Sequence, residues 1–163
     1  MHKKYLILIT ALLLSACGFH LRGSQTAMSV NIDSLYLQST GAAGVTDEVR
    51  DQLQQTGARI TDSADEAEYT LRIAGQRMER SVLSVSAATG KVEEYKLVLS
   101  VLMSVSKNGK SLVSNETVQT SRDYTIDDDA VLGKFSEEEQ LQREMVQRAA
   151  AQIIRRLGAV ARK

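Results

Sequence analysis

The sequence predicts an α+β fold: a two-layer sandwich with two helices on one face of a mostly antiparallel four-stranded sheet, in the order β-α-β-β-β-α. Three observations predict it. Residues 94–106 (EYKLVLSVLMSVS) alternate, with Tyr95, Leu97, Leu99, Val101, Met103 and Val105 on one face, as a half-buried strand requires. Val45, Val49 and Leu53, and then Leu141, Met145, Ala149, Ile153, Leu157 and Val160, recur at helical spacing. Asn108-Gly109 sits between two extended runs, and both residues tolerate the positive φ of a type I′ hairpin turn. One apolar stripe per helix and mostly one apolar face per strand is buried most simply by two layers.

In chain order, residues 29–38 (SVNIDSLYLQ) are rich in β-branched and aromatic residues and read as the first strand, with the alternation slipping near Ser34 as at a bulge. Residues 39–44 form a Ser/Thr/Gly turn. Thr46 then reads as the N-cap of a short helix, with Asp47 and Glu48 in its first turn and Gly57 at its C-terminal end. Residues 58–60 read as a brief extended stretch, and 62–68 as an acidic loop. Tyr69, Leu71 and Ile73 alternate with polar or small residues in a strand expected to run to about Val82, where Gly75 marks a bulge or a close backbone approach. Ala88-Thr89-Gly90-Lys91 reads as a turn into the long strand. Residues 111–124 return from the hairpin with mixed polarity, as an edge strand does. Asp127, Asp128 and Asp129 read as a solvated acidic loop. Ser136-Glu137-Glu138-Glu139 fits a capping box at the start of the long last helix.

Ahead of this domain, His2, Lys3 and Lys4 precede an apolar run over 5–14, and Ser15 and Ala16 are small. Charged, apolar, small is the layout of a secretory signal peptide, and a run of about ten residues is half the about 20 that a membrane-spanning helix needs. The run ends at the only cysteine. Leu14-Ser15-Ala16-Cys17 resembles the bacterial lipobox, in which the thiol receives a diacylglyceryl group, the chain is cut before the cysteine, and the new amine is acylated. Gly18, rather than an aspartate, follows; by the sorting rule of enteric-type bacteria that implies the outer membrane. The expected organisation is therefore a cleaved leader over 1–16, a lipid anchor and tether over 17–28, and one domain over 29–163.

The charge balance excludes some functions. Basic and acidic residues number 20 each, and loss of Lys3 and Lys4 with the leader leaves 18 against 20. A near-neutral chain has no electrostatic case for binding nucleic acid. Of two histidines, only His20 would survive processing, close to the anchor. No Ser-His-Asp or Cys-His pair, zinc spacing or phosphate loop can be assembled, so neither an enzyme nor a cofactor is expected.

"CGFHLRG" after the lipobox, "GKVEEY" entering the long strand and "QRAAAQIIRRL" in the last helix, with the β-α-β-β-β-α order, resemble the LptE family of lipopolysaccharide-assembly lipoproteins. The resemblance implies a lipid anchor on Cys17 and a lead over 18–23 that leaves the domain on the periplasmic side. It implies an outer-membrane protein that plugs and helps assemble the β-barrel of LptD and binds lipopolysaccharide in transit to the outer leaflet. "AVLGK" matches a family segment whose lysine, here Lys134, is implicated in lipopolysaccharide binding. A second basic position of the family falls on Ala88, where the match fails, so Arg80 or Lys91 would have to compensate.

Physical chemistry adds a wider candidate set. A binder of phosphorylated glucosamine presents Lys or Arg beside a hydrogen-bonding surface. Arg77, Arg80, Lys91, Lys96, Arg122 and Lys134 are available, and each also reads as ordinary solvated charge. The alternative function is an anchored periplasmic module that binds peptidoglycan or another envelope protein.

Overall fold

The computed structural model describes residues 32–125 and 134–162, the last helix by its backbone alone over 134–137. The leader, Cys17, the tether and Asp127 to Asp129 lie outside the described residues, as does the side chain of Ser136 in the expected capping box. The elements are β1 (Leu35–Thr40), α1 (Ala43–Gln55), β2 (Ile60–Thr61), a single 3-10 turn (Ala64–Glu66), β3 (Tyr69–Val85), β4 (Val92–Lys107), β5 (Lys110–Thr125) and α2 (Lys134–Ala161). The sheet order is β2-β1-β3-β4-β5. β1 pairs parallel with β2 and β3, whereas the long β3–β4 and β4–β5 ladders are antiparallel. The α+β class and the helix-on-sheet arrangement are as expected. The sheet has five strands rather than four because the brief stretch after α1 adds a two-residue strand beside β1.

The core is aliphatic and lies between the sheet and the two helices. Val45, Val49 and Leu53 of α1 and Met145, Ala149, Ile153 and Leu157 of α2 are buried against Leu71, Ile73, Leu97, Leu99, Val101 and Met103. Every member of the α1 stripe is inside, as the spacing of four predicts. Truncating one of the large members, such as Leu53, costs about 2–5 kcal/mol where the cavity cannot collapse.

α1 starts earlier than its sequence suggests. Ala42 occupies the N-cap without a side-chain cap, and Thr46 lies within the first turn. Its hydroxyl donates to Ala42 O at 2.8 Å, a back-bond that satisfies a buried polar group inside a helix. The end is as expected: Gly57 has φ +79°, and the amides of Gly57 and Ala58 donate to Gln54 O and Leu53 O.

Register shifts on β3 and β5 decide which side chains face the helices. From Tyr69 to Ile73 the odd-numbered residues of β3 point inward. At Gly75, with φ +63°, the register against β4 shifts between Ala74 and Arg77. One extra residue exchanges the faces of everything that follows. Beyond it Met78, Arg80 and Val82 stand opposite Leu99, Leu97 and Tyr95. β5 carries shifts near Val113 and at Asn115, which has φ +49° and whose amide donates to Ser104 Oγ at 3.0 Å. The hairpin between β4 and β5 is the expected Asn108-Gly109 turn, with φ +47° and +77°.

Candidate functional site

β1 ends opposite Ala74, so the rest of β3 extends with β4 and β5 as a three-stranded ribbon beyond the main sheet. Its helix-side face is laid out in rows, because directly paired residues share a face. One row is Met78, Leu99, Thr120. The next is Arg80, Leu97, Arg122. The third is Val82, Tyr95, Tyr124. The first half of α2 runs over these rows.

Four side chains converge there. The Arg80 guanidinium lies over the Tyr95 ring, 4.8 Å from its centre. Its Nη1 reaches Glu138 Oε2 at 3.4 Å. The Tyr124 hydroxyl donates to the same oxygen at 3.0 Å. The Tyr95 and Tyr124 rings meet at 5.8 Å, tilted by 33°. The tyrosine hydroxyl and the carboxylate both push the Arg80 pKa above its ordinary value, the hydroxyl more strongly. Burial raises the Tyr124 hydroxyl above 10, with Glu138 adding to this and Arg80 opposing it. The result is a half-exposed cation held over an aromatic ring and tied to one carboxylate, with part of the guanidinium facing solvent.

The candidates fall into three groups. Arg80 is in the cluster, and Lys134 opens α2 one helical turn, about 6 Å of rise, before Glu138; the Lys134 side chain lies outside the described residues. Arg122 stands two strands from Arg80 in the same row. Lys96 and Arg77 are on the opposite face, where Lys96 pairs with Asp123 at 3.9 Å and Arg77 with Glu79 at 2.6 Å. Lys91 follows the turn at the far tip, where its carbonyl accepts from Ser86 N at 2.8 Å. It lies six residues along the chain from Leu97, roughly 20 Å at strand rise, and is not brought into the cluster.

Sequence reasoning did not anticipate Glu138 as the partner of Arg80, nor Tyr95 and Tyr124 as its setting. The usable signal was the alternation in β4 and β5 combined with a face exchange at Gly75. A groove lined by Glu48, Gln76, Met78, Gln142, Arg143 and Val146 separates α1 and α2 from the free edge of β3. Among the described residues no group of three or more His, Cys, Asp or Glu could hold a metal ion, and no helix is long and apolar enough to cross a membrane.

Similarity to known proteins agrees with this architecture. A family model described as LptE, lipopolysaccharide-assembly, matches residues 32–157. The LPS-assembly lipoprotein LptE of Pectobacterium atrosepticum is 32% identical over 93% of this chain and 83% of its own, and that of Yersinia pestis 30% identical over 93% and 73%. The crystal structure of the rare lipoprotein B from Shewanella oneidensis matches with a TM-score of 0.69 and 32% identity, covering 77% of this chain and 94% of its own. A solution structure of lipoprotein B from Nitrosomonas europaea matches with a TM-score of 0.72 and 28% identity, over 87% and 91%. The family match over most of the described domain, together with relatives aligned along nearly the whole chain, establishes that this protein belongs to the LptE lipopolysaccharide-assembly family.

Proposed function

We propose that this protein acts in lipopolysaccharide assembly as a non-catalytic outer-membrane lipoprotein. Residues 1–16 are removed, Cys17 carries the lipid, residues 17–28 tether the domain on the periplasmic side, and the domain over 29–163 seats in the lumen of the LptD β-barrel, helping it assemble. There it binds lipopolysaccharide during transport to the outer leaflet. The observation that carries the ligand part is the ribbon cluster: Arg80 lies over the Tyr95 ring and is tied to Glu138, which stands one turn from the start of α2 at Lys134. Phosphates on a glucosamine core call for guanidinium or ammonium donors beside aromatic and hydroxyl groups, and this corner supplies them. The polar strand β5, rich in Ser, Thr, Asn and Gln, suits a wet interface with a barrel wall.

Affinity capture of the tagged lipoprotein from detergent-extracted membranes tests the assembly. An integral β-barrel that stays bound through washing is the expected result. Co-purification with murein and no barrel would favour a peptidoglycan-binding module instead.

A further inference from the structure

We propose that Arg122 is a second cationic contact for the phosphorylated glucosamine of lipopolysaccharide, acting across Leu97 from Arg80. The proposal rests on reading the ribbon face as the ligand site. Its ground is an asymmetry in one row of the ribbon. Arg80 and Arg122 flank Leu97 on β3 and β5, two strand spacings or roughly 10 Å apart at the backbone. Arg80 has a carboxylate and a ring. Arg122 is half-buried on the same face, and among the described residues it makes no ion pair. The acidic residue beside it, Asp123, belongs to the other face and is paired with Lys96. Glu116, further along β5, is taken by Arg156 of α2.

A partly desolvated guanidinium without a counter-ion gains most from an incoming anion, because part of its hydration is already lost. The geometry constrains that anion. Leu97 is buried between the two backbone positions, and a ligand bearing two phosphates on a rigid saccharide can place one on each side of it. In the next row Val82, half exposed, and the rings of Tyr95 and Tyr124 offer an apolar and hydroxyl surface for the sugar and the start of the acyl chains. Lys91, at the far tip, is remote from this row.

The test uses the full lipoprotein in non-ionic detergent, titrated with lipopolysaccharide carrying both glucosamine phosphates and with the same material dephosphorylated. Arg122→Ala is expected to weaken binding of the phosphorylated form about tenfold or more and to leave the weaker binding of the dephosphorylated form unchanged. Arg122→Lys is expected to restore only part, since an ammonium cannot make a bidentate phosphate contact. Thermal melting checks that the variants fold, and Arg122→Gln replaces the alanine variant should that one not fold. Wild-type affinity retained by Arg122→Ala or Arg122→Gln on the phosphorylated form overturns the assignment while the proposed function stands. Absence of lipopolysaccharide binding by the wild-type protein overturns both. Equal binding to phosphatidylglycerol vesicles overturns the saccharide diphosphate as the preferred source of the anions.

Discussion

The Arg80 guanidinium sits over the Tyr95 ring, 4.8 Å from its centre, and touches Glu138 through a single 3.4 Å contact. Arg80 is half exposed, so the ion pair is screened and contributes at most about 1 kcal/mol. The ring contact at such a site is worth about 0.5–1 kcal/mol. What the ring supplies beyond energy is orientation. A double-mutant cycle with Arg80→Ala and Tyr95→Leu, measured by urea unfolding, is expected to return a coupling of about 0.5–1 kcal/mol. A coupling of zero would mean that the two side chains are merely adjacent.

Tyr124 makes stability depend on alkaline pH. Burial, assisted by Glu138, raises its hydroxyl above the ordinary value of 10 in the folded chain. The unfolded chain therefore loses this proton first, and the folded state binds it more tightly. The contribution is fully present below pH 10 and is lost as pH rises from there through the folded-state pKa. Tyr124→Phe removes the proton and its linkage. Unfolding free energies between pH 8 and 11 should fall less steeply for the phenylalanine variant. Parallel slopes would contradict a raised pKa at this site.

Two glycines are expected to respond to alanine in opposite directions. Gly75 has φ +63°, and a Cβ there meets no atom within 4 Å, so the penalty is purely conformational, about 1–2 kcal/mol. Gly44 lies in the first turn of α1, and its Cβ would rest 3.5 Å from the Gln76 side chain, an ordinary contact. Gly44→Ala should stabilise by about 0.5 kcal/mol through reduced freedom of the unfolded chain. Denaturation midpoints of the two variants, moving apart from wild type, would establish both signs.

Elements were legible in the sequence where the pattern is local, and the site was not, because it depends on register. The period of two in β4, the stripes of α1 and α2, and the Asn108-Gly109 turn each name their own structure. Arg80 is different. Alternation carried straight through from Tyr69, Leu71 and Ile73 places Arg77 and Glu79 toward the helices; the extra residue at Gly75 puts Arg80 there instead. Arg122 is hidden in the same way. Counting outward from the Lys107–Lys110 pair sets Leu97 against Thr120, but the two shifts on β5 make Arg122 its partner. Glu138 could not be matched to Arg80 at all, because their meeting depends on where α2 lies across the ribbon. Thr46 shows the reverse case: a good capping residue by type was overridden when the chain turned into α1 at Ala42.

Lys134 provides the sharpest test of the proposed ligand site. It opens α2, where the unpaired amides of the first turn and the helix dipole already favour an anion. Glu138, one turn on, is committed to Arg80 and Tyr124. The backbone of Lys134 thus stands one helical turn from the carboxylate that holds Arg80. Removing one charge-assisted contact costs about 1.5–3 kcal/mol, roughly a tenfold to hundredfold loss of affinity. Aspartate at this position also introduces repulsion, yet it suits the first turn of a helix and should not disturb folding. Lys134→Asp is therefore expected to weaken lipopolysaccharide binding strongly while the thermal midpoint and the association with the barrel stay near wild type. Because exposed charges are screened within about 10 Å at 0.1 M salt, the titration belongs at both low and moderate ionic strength. Unchanged binding at both would make Lys134 a solvated charge at the head of α2 and move the phosphate contact elsewhere on the ribbon.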